Sequence, residues 1–193
     1  MNGAVKLALA ALAVAALQAG VAAQQPPAQA RALASAAQRQ VGVTVSYDPA
    51  YRRLAYPGGD VPLDRGVCSD VVIRAFRAIG VDLQAEVHAD MRRNFKRYPQ
   101  LWGLRKPDPN IDHRRVPNLM RFLERKGKDR PLAGPYEPGD VVAWRLPNGL
   151  YHIGMVAEGR ARQGHPLVVH NIGQGAQVED VLHAFEKLGH YRW

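Results

Sequence analysis

The chain is poor in cysteine: it has one, Cys68, among 193 residues. A single thiol excludes an internal disulfide framework and any four-cysteine metal site. Long hydrophobic runs are also missing. The longest, Leu7 to Leu17, is too short and too alanine-rich for a comfortable membrane span. No cysteine follows it directly, which excludes a lipoprotein anchor. Acid is absent from residues 2 to 23, where Lys6 is the single charge, and Val21-Ala22-Ala23 then places small residues where a signal peptidase cuts. Residues 1–23 therefore read as a cleaved signal peptide, with Ala28-Gln29-Ala30 as a second site and an uncleaved N-terminal anchor as the alternative. The expected location is periplasmic or secreted. Aromatic residues are only 7%, and no basic helix interleaves with them, so a formal charge of +9 does not make a nucleic-acid binder. The arginines are scattered, which fits either an anionic envelope surface or simple solvation. Internal repeats are absent, and the oligomeric state is not legible.

A lone thiol in an exported chain calls for a reason. Gly66-Val67-Cys68-Ser69-Asp70 runs into Val71 to Ile79, where Val72, Ile73, Phe76 and Ile79 share one helical face and Gly80 provides a stop. Cys68 is thus expected one or two residues ahead of a helix, where unpaired N–H groups and the dipole favour S⁻. Pro138-Gly139-Asp140 turns into a strand at Val141 to Trp144, Pro147-Asn148-Gly149 makes a hairpin, and strands follow at 151–157 and 166–171. His152 is expected at the sheet edge as general base. His170 or Asn171 is expected to orient it, since alternation lets only one of these neighbours serve. The bland alternatives are a buried cysteine packed as a small hydrophobe and a satisfied strand histidine.

Residues 24–40 read as a polar spacer and an N-terminal helix over Arg31 to Gln40, and 41–193 as one domain. Further helices are expected at Val116 to Lys126 and Val178 to Leu188, with a long surface excursion of short helical pieces from Asp82 to Asn110. Helices before a small antiparallel sheet make an α+β pattern. In Asn110 to Asn118, Asp112, His113, Arg114 and Arg115 read either as a capping and ion-pair cluster or as a substrate wall, in which an arginine clamps a carboxylate. His88, Asp90, Asp112 and His113 are metal-ligand types, but their spacing matches no metal template, so no metal or cofactor is expected.

These residues resemble the NlpC-type papain-like cysteine peptidases that cut bacterial cell-wall peptides. Cys68-Ser69 stands at the nucleophile motif, with Val67 and Asp70 where that family has Asp and Gly. Gly139-Asp140-Val141-Val142-Ala143-Trp144 is similar to its first strand, His152-Ile153-Gly154-Met155-Val156 to its base strand, and Val168-Val169-His170 to its third position. Tyr56-Pro57-Gly58-Gly59 looks like its Tyr-x-x-Gly loop. The resemblance implies a papain-like fold, Cys68 as nucleophile, His152 as base, His170 as orienting group, Tyr56 beside the oxyanion and peptidoglycan as substrate. A second resemblance covers nearly the whole mature chain. It is to exported bacterial proteins known only as a domain of unknown function, and it rests on Tyr47-Asp48-Pro49-Ala50-Tyr51, Gly66-Val67-Cys68-Ser69-Asp70, Asn110 to Leu119 and His170-Asn171-Ile172-Gly173. The expected activity is thiol-dependent amide hydrolysis. The alternatives are a non-catalytic envelope-binding module of the same fold, and an amidase or acyltransferase acting on lipid-linked amides.

Overall fold

The computed structural model describes residues 27–193; the signal-peptide reading of residues 1–23 lies outside them. Helix α1 (Ala28–Gln38) buries Leu33 and Ala37 against helix α2 (Cys68–Ala78) and the sheet. Between them, two short strands, β1 (Ser46–Tyr47) and β2 (Arg65–Gly66), pair in parallel. Gly80, with φ of 80°, ends α2 in the left-handed conformation that glycine adopts without strain.

The stretch expected as a loose excursion instead contains a twelve-residue helix, α3 (Leu83–Asn94). The Asp82 carboxylate caps it by accepting from the N–H groups of Gln84 and Ala85. Leu83, Val87 and Met91, four residues apart, bury one face. Helix α4 (Val116–Arg125) carries Pro117 in its first turn, where a missing N–H costs nothing, and buries Leu119, Phe122 and Leu123.

The sheet has five antiparallel strands in the order β6-β5-β4-β3-β7: β3 (Val141–Arg145), β4 (Tyr151–Arg160), β5 (Pro166–His170), β6 (Gln177–Glu179) and β7 (Glu186–Tyr191). Ala143, Ile153, Met155 and Val169 face the helices. Val142, Trp144, Val156 and Val168 face the other way, onto Leu182 and Tyr136. The architecture is therefore a helix layer on a five-stranded sheet, an α+β arrangement.

The helix expected over Val178 to Leu188 is corrected to β6, a turn and β7. Its apolar residues Leu182 and Phe185 cover Trp144, whose indole N–H donates to the Leu182 carbonyl, and β7 pairs the open edge of β3. Pairing that edge satisfies a row of backbone groups that a helix there would have left exposed. The edge position expected for His152 is likewise corrected. Because β7 and β6 extend the sheet on both sides, β4 is its central strand and His152 is 2% exposed.

Candidate active site

Cys68 is the first residue of α2 rather than a residue ahead of it. The Asp70 carboxylate reaches back to accept from the Val67 N–H at 2.6 Å, while the Asp70 N–H donates to the Val67 carbonyl, so the helix start is clamped from both sides. The thiol lies against the peptide N–H of Ile153, the residue after His152. Strand register explains that opening. Met155 pairs with Val169, so Ile153 stands opposite Asn171, just past the end of β5. Cys68 occupies the fork where β5 leaves β4.

On the sheet face away from the helices, a chain of three side chains runs outward from His152. Its Nε2 lies 2.9 Å from Nδ1 of His170, and Nε2 of His170 lies 2.7 Å from the Glu179 carboxylate on β6. The carboxylate can only accept, so His170 donates from Nε2 and its Nδ1 accepts from His152 Nε2–H. The free lone pair on His152 is therefore at Nδ1, the arrangement that a general base requires. Gly154 makes room for this packing. A Cβ there would sit 2.8 Å from Val168 Cγ1, 2.9 Å from the Val169 carbonyl and 3.1 Å from His170 Cβ.

Electrostatics keep the resting site neutral. Burial pushes the Cys68 thiol up to about 11; the nearby Asp70 charge adds to the rise, and the N–H groups of Ile153, Ser69 and Cys68 oppose it. Burial brings His152 down to about 3, with His170 contributing, and lowers His170 against the pull of Glu179. Among the described residues no hydrogen bond joins Sγ to either imidazole. At rest both groups are neutral, S–H on Cys68 and imidazole on His152.

The structure distributes the expected site residues as follows. His170, and not Asn171, meets His152. Asn171 donates to the Ser46 and Gly66 carbonyls and so ties the end of β5 to the loop before Cys68. Tyr56 is half-exposed with its ring edge on His88, 5.2 Å between centroids. The phenol that senses the thiol is Tyr47: burial first, then Cys68 and Asp70, push it up to about 12. Tyr47 and His152 share a cleft of about 400 Å³ with Leu150, Tyr151, Ile172 and Phe185. The Tyr47-Asp48-Pro49-Ala50-Tyr51 segment was the available signal for that residue; Glu179 had none.

Of the four residues at 112–115, expected either as a capping and ion-pair cluster or as a substrate wall, three are buried. Arg114 is buried, with Nε and Nη2 each 2.9 Å from the Asp70 carboxylate and further bonds to the Asp48 and Ala50 carbonyls. Asp112 is buried, accepting from the Asp108 N–H and from Arg115. His113 is buried, brought down to about 4 by desolvation, and its Nδ1 has no partner. Arg115 stacks over Trp102 at 4.1 Å while pairing with Asp112. Arg114 thereby holds the first turn of α2 and the loop 48–50 in place. Among the described residues no group of three His, Cys, Asp or Glu side chains is arranged to hold a metal ion.

Over 165 residues the chain is 59% identical to a protein from Escherichia coli (strain K12) named "Uncharacterized protein YijF", covering 84% of this chain and 80% of that relative. A family model, "Domain of unknown function (DUF1287)", matches residues 34–193, which include every site residue described above. The chain belongs to that DUF1287 family.

Proposed function

We propose that this protein is an exported thiol-dependent amide hydrolase of papain-like, NlpC-type fold, acting on peptidoglycan peptides. The supporting observation is the relay His152–His170–Glu179, which leaves the His152 Nδ1 lone pair free, together with a thiol at the first residue of α2 that lies against the N–H of Ile153, the residue after His152. As Sγ attacks the amide carbonyl carbon, the S–H proton passes to His152 Nδ1 and the Sγ–C bond forms. The developing oxyanion meets N–H groups at the start of α2, with Tyr47 at the mouth of the cleft. The C–N bond then breaks and the amine leaves with the proton from His152. Water, deprotonated by the same nitrogen, opens the thioester and releases a carboxylate. The relay contributes by stabilising the imidazolium: His170 accepts from it, and Glu179 balances the charge.

A non-catalytic binding module of the same fold has an observation of its own, the neutral buried thiol. The experiment that separates the two is a digest of purified peptidoglycan with the mature protein and with Cys68→Ala, read by liquid chromatography and mass spectrometry. Fragments that vanish in the variant support the hydrolase, and their masses name the bond. Identical chromatograms from both proteins refute it.

A further inference from the structure

A cavity of about 920 Å³ lies apart from the cleft that Tyr47 and His152 line. It lies between α3 and the segment 103–110, and Arg92, Arg105 and Lys106 line it together with His88 and Tyr51. Elsewhere the arginines are mostly paired: Arg74 and Arg77 with Asp60, Arg114 with Asp70, Arg125 with Asp90 and Arg192 with Asp140. Arg92, Arg105 and Lys106 have no ion pair or hydrogen bond to any described residue. His88 adds a buried Nδ1 with no partner. The one carboxylate in the wall, Asp108, is already held by the Tyr51 hydroxyl and by the side chain and N–H of Asn110.

We propose that this cavity binds an acidic peptide, with Arg92, Arg105 and Lys106 taking its carboxylates. Three unpaired cations around a concave site lack a counter-charge that the fold itself does not supply. Guanidinium matches carboxylate geometry through two parallel bonds. The wall also carries Leu104, Pro107 and Pro109, which suit the apolar parts of a peptide, while Asp108 disfavours a dense polyphosphate. Tyr51 lines this cavity and Tyr47 the cleft of His152. Four residues of chain span at most about 14 Å, so one extended peptide can reach both. The assignment rests on charge and shape at this cavity and does not depend on hydrolysis at Cys68.

The test uses the mature protein carrying Cys68→Ala, so that cleavage plays no part. An acetylated hexaglutamate amide is titrated by calorimetry, with hexaglutamine and inorganic phosphate as comparison probes. The expected result is binding of hexaglutamate alone, weakened roughly tenfold or more by Arg92→Gln with Arg105→Gln, the loss of charge-assisted bonds. Arg93→Gln with Arg97→Gln removes the same charge from exposed positions outside the cavity and should leave the affinity within about twofold. Equal weakening by both pairs would mean general attraction to a basic surface and overturns the proposal. So does phosphate binding that competes with hexaglutamate, or no binding of hexaglutamate at all. Thermal unfolding of each variant confirms that it is folded.

Discussion

Burial of Cys68 has a kinetic and a thermodynamic consequence, and both are measurable because it is the only cysteine. Raising the thiol from 9.0 to about 11 cuts the thiolate fraction at pH 7 from ~1% to ~0.01%, about 100-fold. Alkylation by iodoacetamide at pH 7–8 should therefore be at least about 100-fold slower in the native protein than in the same chain unfolded in urea, and restricted access slows it further. The native rate should keep rising beyond pH 10. The stability effect has a definite sign. The unfolded chain releases the thiol proton near pH 9 while the native state holds it to about 11, so stability is present below pH 9 and falls as pH rises between these values. Between pH 8 and 10 the wild type should lose on the order of 1 kcal/mol more than Cys68→Ala in urea unfolding, the variant cancelling the contribution of the tyrosines. A native alkylation rate that levels off below pH 8 would refute the reasoning, because it would reveal a resting thiolate–imidazolium pair that burial was argued to forbid.

Two further outcomes follow from the same geometry. Replacing Glu179, which is half-exposed, with alanine should leave the melting temperature nearly unchanged and slow hydrolysis about 10–100-fold, with Glu179→Gln in between because it still accepts from His170; a rate equal to wild type in both variants would remove the relay from the mechanism. Arg114→Met strands the buried Asp70 carboxylate and should cost about 3–5 kcal/mol in urea unfolding, part of it recovered in Asp70→Asn with Arg114→Met; unchanged stability would return Arg114 to the substrate wall.

What the sequence disclosed was whatever is written in local periodicity and punctuation. The apolar face of α2, the stop at Gly80, the Pro147-Asn148-Gly149 hairpin and the two histidine strands are all local signals, and each element lies within a few residues of its expected bounds. Features that depend on pairing at a distance were hidden. Glu179 stands opposite Val168 and therefore diagonally across from His170 on the same sheet face, which no spacing in the chain reveals. The sequence leaves the role of Arg114 open between ion pair and clamp because its partner Asp70 lies 44 residues away, whereas Arg115 pairs locally with Asp112. In the sequence Tyr47 stands out only through the Tyr47-to-Tyr51 segment of the resemblance; its nearness to the thiol follows from the pairing of β1 with β2, which places Tyr47 beside Gly66, two residues before Cys68.

The loop between Tyr47 and Leu54 connects the two proposals physically. One end carries the phenol beside the thiol, and its middle carries Tyr51, bonded to Asp108 and Asn110 in the cationic cavity. Arg114 grips the carbonyls of Asp48 and Ala50 between them, and the Leu54 N–H donates to Asn110. A ligand that competes for Asp108 or Asn110 would load a segment held mainly by exposed hydrogen bonds on the Tyr51 side and by a buried guanidinium on the Tyr47 side. The buried end is the stiffer of the two, because its bonds are shielded from water and share one rigid planar donor. Movement is therefore expected first around Tyr51. A peptide seated in the cavity can adjust that end while Arg114 keeps the start of α2, and the N–H groups around Sγ, in register with β4.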